Sequence, residues 1–300
     1  MAKRIILGIL AIVAVALAVV FAVPATRYQI LAYLRNEPLH KGRPLAYWVA
    51  ALKHSDADVR REAALILEDV SGDFKGRAPE DPEYRAIIAG LASAIGDSDP
   101  FVRKCAAKAY LNYPREAPVP TDSETVTQLF TGLGDTQQVL VRKAAGRALW
   151  QAGPAAKQGP GVPALIAATY DSDDFVREYA ARTLGRIGPE AIPAVPELLD
   201  LLRKDPERDV REHAAKSLGL IGSLGLGARQ DEVVQALLKG LKDEAADVRE
   251  NSARSLGQLG AKVAIPDLRQ LAQDPKEAER VRAAATEALS RLGAGLDAQP

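Results

Sequence analysis

The sequence DDFVREYAARTLGRIG, residues 173–188, decides the fold because its pattern recurs along the chain. We number its positions from Val176 as zero. Positions four, eight and eleven are then Ala180, Leu184 and Ile187, which fall on one stripe of an α-helix. A small residue in the middle of the stripe allows a neighbouring helix to approach closely. The glycine at position twelve favours the left-handed conformation that ends many helices, so the stretch predicts a closely packed amphipathic helix.

The Val-Arg pair of this helix marks an internal repeat. It occurs at Val59-Arg60, Val102-Arg103, Val141-Arg142, Val176-Arg177, Val210-Arg211, Val248-Arg249 and Val281-Arg282. Successive valines are 43, 39, 35, 34, 38 and 33 residues apart, which suits units of two helices. Asp56, Asp99 and Asp173 stand three residues before a valine, where a carboxylate can cap the first turn. A separate apolar stripe precedes the Val-Arg helices, as in residues 195–202 and 233–241, and no strand-like alternation occurs.

Runs of the form Asp-x-x-Val-Arg-x-x-Ala-Ala-x-x-Leu-Gly-x-Ile-Gly, best seen in residues 173–188, resemble the bacterial HEAT-like repeat family. The resemblance is to the short repeat type also found in phycobilin lyases, and it covers about residues 42–293. It implies an all-α fold, a right-handed α-solenoid of about seven two-helix repeats. The first helix, around residues 45–52 with Trp48, is expected to cap the stack. The resemblance says little about function, because such solenoids host many roles.

An uncharged apolar run precedes the repeats. Residues 5–23 form a stretch of 19 residues, which nearly spans a hydrocarbon core of about 30 Å. Because the run is longer than the core of most signal peptides, we predict a transmembrane anchor over residues 1–26, with a small-residue cleavage site at residues 23–25 as the alternative. A linker would follow at 27–41, and a tail would close the chain at 294–300. A short N-terminal flank normally stays inside, which predicts a single-pass membrane protein with an extracytoplasmic body, although basic residues after the run favour the opposite orientation.

An arginine follows the valine in all seven repeats. These arginines are Arg60, Arg103, Arg142, Arg177, Arg211, Arg249 and Arg282. An aspartate lies five residues before the valine at Asp97, Asp171, Asp205 and Asp243. Because charges near a helical core usually occur in pairs, we interpret the arginines as a structural ladder between stacked helices rather than as a functional site.

Composition and motifs argue against several classes of function. Lys plus Arg and Asp plus Glu number 39 each, so the chain lacks the overall basic field of a nucleic-acid-binding protein. The histidines, His40, His54 and His213, form no paired His-Glu motif, and the single cysteine, Cys105, is interpreted as a packed bystander. No phosphate loop or nucleophile motif is present. We therefore expect no enzyme activity, cofactor, metal, small-molecule substrate or nucleic-acid partner.

Positions two, six and nine lie opposite the apolar stripe and are predicted to line the concave face of the solenoid. In repeats four to six, positions two and six are the pairs Glu178–Arg182, Glu212–Lys216 and Glu250–Arg254, which are typical of a solvated face. Repeats two and three instead carry like charges and large apolar residues, at Lys104, Lys108, Leu111, Lys143, Arg147 and Trp150. We predict that these six residues bind an acidic segment of another protein. The alternative is that Trp150 packs on a neighbouring helix and the lysines are merely solvated.

Taken together, these features predict a non-catalytic, membrane-anchored protein–protein interaction scaffold that contacts the membrane through residues 5–23. The alternative function is that of a lyase-like protein or an enzyme accessory, which the similarity to phycobilin lyases leaves open.

Overall fold

The computed structural model describes residues 28–29, 33, 38–74, 81–113 and 119–295. Within these residues the chain forms fourteen α-helices, with short 3₁₀ turns and no β-strand. The helices are α1 (Leu45–Ala51), α2 (Ala57–Asp69), α3 (Pro82–Ala94), α4 (Pro100–Asn112), α5 (Ser123–Leu133), α6 (Val139–Ala152), α7 (Gly161–Ala168), α8 (Asp174–Ile187), α9 (Val195–Lys204), α10 (Arg208–Ile221), α11 (Gln230–Gly240), α12 (Ala246–Gln258), α13 (Ile265–Gln273) and α14 (Glu279–Arg291). The prediction of an all-helical fold is confirmed.

The chain divides into two compact units, Met1–Ala117 and Pro118–Pro300. The described part of the first unit contains α1 to α4, and that of the second contains α5 to α14. In each consecutive pair the even-numbered helix carries the Val-Arg motif, and we call these the second helices. The predicted 42–293 repeat region therefore contributes to both units, which are described separately below.

Carboxylates begin several of the second helices. Asp99 caps α4 by accepting hydrogen bonds from the N–H groups of Phe101 (2.8 Å) and Val102 (3.2 Å). Asp56 and Asp173 cap α2 and α8 in the same way. The first N–H groups of a helix have no intrahelical acceptor, so each cap satisfies donors that would otherwise need water. All three caps predicted from sequence are confirmed.

The repeated apolar stripe forms the core of each unit. In α8 the side chains of Val176, Ala180 and Leu184 are at most 1% exposed. The motif valines of six repeats are buried to this extent, namely Val102, Val141, Val176, Val210, Val248 and Val281. Burying a side chain of this kind typically contributes about 1.5–3 kcal/mol, so the stripe supplies much of the driving force for stacking.

Small residues set how closely successive second helices pack in the second unit. At Gly257, at position nine of α12, an added Cβ would lie 2.8 Å from Cα of Ala288 in α14. At Gly185, at the same position of α8, it would lie 2.9 Å from Cβ of Ser217 in α10, whose hydroxyl donates to the carbonyl of Ala181 at 2.8 Å. Glycine at position nine therefore permits backbone-level contact between neighbouring repeats.

The motif arginines bridge adjacent repeats. Five of the guanidinium groups bind a carboxylate at the turn of the following repeat, with closest N···O distances of 2.6–2.9 Å. These pairs are Arg60–Asp97, Arg142–Asp171, Arg177–Asp205, Arg211–Asp243 and Arg249–Glu277. The same groups donate to a carbonyl of their own turn, for example from Arg177 to Asp171 at 3.0 Å. Arg103 also bonds its own turn, donating to the carbonyl of Asp97 at 2.8 Å. These contacts are the ones on which the ladder hypothesis depends, and the structural role of all seven arginines stays a prediction. Arg282 has no ion pair within the described residues.

The predicted single-pass membrane localisation is corrected by the helix lengths. Across residues 38–74, 81–113 and 119–295, no helix is long and apolar enough to cross a membrane. The longest have 14 residues, or about 21 Å at the rise of an α-helix, against a hydrocarbon core of about 30 Å. The apolar run 5–23 and the predicted anchor over 1–26 lie outside the described residues, as do most of the 27–41 linker and of the 294–300 tail.

The first described helix packs its aromatic side chain inward. Trp48 of α1 is 3% exposed, and its indole N–H donates to the carbonyl of His40 at 2.9 Å. An isolated bridge between His40 and Arg43 holds the preceding turn. Trp48 is therefore fixed against the preceding turn, and the role of this helix as a cap stays a prediction.

Candidate functional site

The six residues predicted to bind a partner are divided between the two units. The first unit contains Lys104, Lys108 and Leu111 on α4, and the second contains Lys143, Arg147 and Trp150 on α6. Lys104 is exposed and Leu111 is half-buried, whereas Arg147 is only 4% exposed. Their role in binding stays a prediction, but burial of Arg147 means that it does not belong to the accessible face.

Two of the predicted lysines differ from the unpaired charges expected from sequence. Lys108 forms an ion pair with Glu68 of α2. Lys143 forms one with Asp173, the N-cap of α8, at 2.9 Å. Because both carboxylates come from a neighbouring repeat, one lysine of each like-charged pair is neutralised across helices. Spacing along one helix could not reveal these pairs.

Trp150 is the centre of an aromatic and cationic cluster in the second unit. Its half-buried ring meets Tyr179 of α8 edge to face, with ring centroids 5.7 Å apart. The guanidinium of Arg182 lies 4.1 Å from the centre of the indole, and that of Arg186 lies 5.4 Å away. Cation–π contacts of this kind orient both partners, so the indole and the two guanidinium groups hold each other in place. Trp150 thus packs on the neighbouring helix and still presents an accessible edge.

The backbone after α6 also shapes this cluster. Gly153 has φ +61°, and a Cβ at this position would lie 2.9 Å from Nη2 of Arg186. A side chain here would therefore be strained and would collide with the guanidinium. The same guanidinium donates to the carbonyl of Trp150 at 2.7 Å, so a glycine turn and a backbone acceptor fix its position.

A cleft of about 180 Å³ opens beside Trp150. It is lined chiefly by Trp150, Arg182, Arg186, His213, Lys216 and Leu220, and we call it the basic cleft. Four of these six side chains are basic, while Trp150 and the 37%-exposed Leu220 add apolar surface. An aromatic anchor surrounded by cations suits recognition of an acidic segment.

Among the residues that the structure describes, the basic side chains of the basic cleft do not all have a carboxylate partner. Arg182 and His213 share the carboxylate of Glu178, at 2.8 and 3.3 Å. Burial by itself would raise the pKa of Glu178, but its hydrogen bonds from His213 and Arg182 outweigh burial and lower that pKa. Lys216 is exposed, and within the described residues neither Lys216 nor Arg186 has a carboxylate partner. These two cations are therefore the ones available to a ligand.

Sequence reasoning missed four cleft residues, namely Arg182, Arg186, His213 and Lys216. It interpreted Glu212–Lys216 as a stabilising pair within α10, but the two side chains form no ion pair. Glu212 instead accepts a hydrogen bond from Asn251 at 3.3 Å. The available signal was the change at position nine, where Trp150 replaces the glycine of later repeats. Its side chain extends over the next helix, so the cleft is built largely from repeat four and five residues.

The described residues were compared with the requirements of a reactive thiol and of a metal site. Burial raises the pKa of Cys105 to about 12, with Glu68 adding to the effect, so the thiol stays protonated at neutral pH. Within the described residues, no group of three or more His, Cys, Asp or Glu side chains is placed to hold a metal ion.

Comparison with known proteins supports the same architecture. A family model for HEAT repeats matches residues 126–219 and 195–290, which together cover more than half of the chain. No curated protein matches the sequence. The crystal structure of one engineered protein is 26% identical with a TM-score of 0.64 and covers 85% of this chain and 69% of its own. A second engineered protein is 25% identical with a TM-score of 0.55, over 72% of this chain and 96% of its own.

The repeat pattern, the paired helices and the family match agree. Helices α5 to α14 of the second unit contain the matched residues. The finer resemblance to the type found in phycobilin lyases stays a prediction. The chain belongs to the HEAT-repeat family.

Proposed function

We propose that this protein is a non-catalytic interaction scaffold that binds an acidic segment of another protein through the basic cleft. The observation that carries the proposal is a pair of cations, Arg186 and Lys216, beside the half-buried ring of Trp150. The described part of the chain supplies neither of them with a carboxylate partner. An acidic group placed beside these cations is attracted to them, and the attraction is stronger where the ring of Trp150 limits the access of water.

The fold supports this role in a second way. HEAT-type repeats form extended surfaces rather than enclosed active sites, and each repeat contributes the same helix face. The rigid second helices hold the cleft side chains through glycine contacts and ion pairs, as described for Gly185 and Arg177. A preorganised surface loses less conformational entropy on binding than a mobile loop would.

The proposal is tested by fluorescence anisotropy at low salt with labelled peptides of glutamates or lysines of equal length. We expect the acidic peptide to bind and the basic peptide not to bind. Lys216→Glu should weaken binding about tenfold, because it replaces an attractive charge with a repulsive one. Added salt should also weaken binding, since the ionic contacts are solvent-accessible.

The matched control is Lys239→Glu on α11, a first helix whose lysine is also exposed. This variant has the same net charge as Lys216→Glu but lies on the other helix of its pair. It should bind the acidic peptide like the parent protein. Equal loss in both variants, or equal binding of both peptides, would contradict the proposed site.

A further inference from the structure

A second cleft adjoins the basic cleft in the second unit. It has a volume of about 430 Å³ and lies over α10 and α12, and Glu212, Asp247, Glu250, Asn251 and Arg254 contribute to its lining. We call it the acidic cleft. Lys216 and Leu220 line both clefts, so the two form one continuous surface across neighbouring second helices.

The carboxylates of the acidic cleft are neutralised to different degrees. Asp247 and Glu250 both bind Arg280 of α14, and Glu250 also pairs with Arg254 at 2.9 Å. Glu212 has only the amide of Asn251, at 3.3 Å, and within the described residues it has no ion-pair partner. The acidic cleft therefore retains an unneutralised carboxylate, just as the basic cleft retains unneutralised cations.

The environment of Glu212 disfavours its charge in the absence of a ligand. Burial raises the pKa of this carboxyl, and the carboxylates of Asp247 and Asp209 raise it further against the opposing effects of His213 and Lys216. A cation supplied by a ligand would relieve this repulsion. Replacing Glu212 by glutamine, which has the same shape and no charge, should therefore change the free energy of unfolding little.

We propose that the bound segment is bipolar: it places a carboxylate in the basic cleft and a lysine or arginine in the acidic cleft. Arg186 lies near the end of α8 and Glu212 near the start of α10, eight repeat positions earlier. One helix spacing of about 8–10 Å and a rise of about 12 Å along the axis therefore separate the two sites by about 15 Å. An extended chain covers this distance in about three to five residues. The inference rests on the proposed function, and it further specifies the order of charges along the partner segment.

The test compares three labelled peptides with the full chain. The first carries two glutamates and two arginines separated by three neutral residues, the second has glutamines in place of the arginines, and the third separates the charges by ten neutral residues. We expect the first to bind about tenfold more tightly than the second, because one further charge pair forms in a partly desolvated site. The third should gain less, since a long flexible connection lowers the effective concentration of its arginines.

The deciding variant is Glu212→Gln. It should remove the advantage of the bipolar peptide while leaving binding of the glutamine-substituted peptide unchanged. If the bipolar peptide binds no better than the glutamine-substituted one, or if Glu212→Gln preserves its advantage, the bipolar inference is overturned and the proposed function stands. If none of the peptides binds, the proposed function itself fails.

Discussion

At the scale of single residues, the inter-repeat ion pairs show how charges become part of a helical core. Arg177 binds both oxygens of Asp205, at 2.7 and 2.9 Å, and the two side chains are only 13% and 4% exposed. Two charges that are buried to this degree each need the other as a counter-charge. Removing one of them therefore lowers the stability more than replacing both by apolar side chains would.

Arg177→Ala should lower the free energy of unfolding by about 3 kcal/mol, because it leaves the buried carboxylate of Asp205 without its counter-charge. The measurement is urea-induced unfolding followed by circular dichroism. Arg282→Ala is the matched control, since Arg282 occupies the same repeat position without an ion pair among the described residues. A loss of similar size in both variants would show that the arginine stem, not the ion pair, provides the stability.

Acid should weaken the ladder from the carboxylate side. Hydrogen bonds from Arg249 lower the pKa of Glu277 below its ordinary value. A depressed folded-state pKa gives stability that is present above the unfolded-state pKa, about 4.3, and is lost as pH falls through the folded-state value. The difference in Tm between the parent and Glu277→Gln should therefore be constant from pH 7 to about pH 5 and shrink below about pH 4. A difference that grows with acidification would contradict this assignment.

The arginine–carboxylate pairs could be predicted from the sequence because their residues recur at fixed repeat positions. The cations of the basic cleft that lack a carboxylate partner within the described residues could not be predicted in this way. Asp97, Asp171, Asp205 and Asp243 each lie five residues before a motif valine, and this constant spacing identified them as partners of the arginines. Glu277 broke the spacing and was missed. The available charge of Lys216 was hidden because a carboxylate four residues earlier suggested a pair, while the carboxylate itself bonds the next repeat.

At the scale of helices, contact between second helices depends on the absence of a side chain. The Cβ that Gly257→Ala would add lies 2.8 Å from a backbone atom of α14, so the helices must separate. Overpacking of this kind costs about 1–3 kcal/mol, against a gain of about 1 kcal/mol in helix propensity. We expect a net loss of stability in urea unfolding.

Gly134→Ala provides the control for that prediction. Its added Cβ would meet only ordinary contacts, at 3.6 and 3.7 Å, and Gly134 has φ −83°, which any residue can adopt. This variant should be neutral or slightly stabilising. If Gly257→Ala were stabilising as well, the close approach of α12 and α14 would not be needed for stacking.

Helix boundaries followed from sequence more readily than helix neighbours did. The caps and the apolar stripe are local, and each contains enough information to place one helix. Trp150 shows the limit: periodicity places it on the stripe of positions two, six and nine, but its contacts with Arg182 and Tyr179 come from the adjacent repeat. Contacts between repeats depend on rotation and stagger, which periodicity within one helix does not contain.

At the scale of the whole molecule, basic and acidic residues are equal in number, so only local surfaces such as the two clefts differ in charge. A chain with 39 residues of each sign produces little long-range steering. Partner association should therefore depend on the local clefts rather than on net charge. The order of charges across α8, α10 and α12 then becomes the property that distinguishes one partner segment from another.

The second unit should fold and bind without the first. Its helices α5 to α14 stack mainly on their sequence neighbours, and both clefts lie within it. In repeat proteins stability comes from individual repeats and nearest-neighbour interfaces, so the fragment 119–295 should give a helical far-ultraviolet spectrum and a cooperative urea transition. It should also bind the glutamate peptide with the affinity of the full chain. A folded fragment that binds more than tenfold less tightly would assign part of the binding surface to residues outside 119–295, whereas an unfolded fragment would show that the repeats α5 to α14 depend on those residues for their stability.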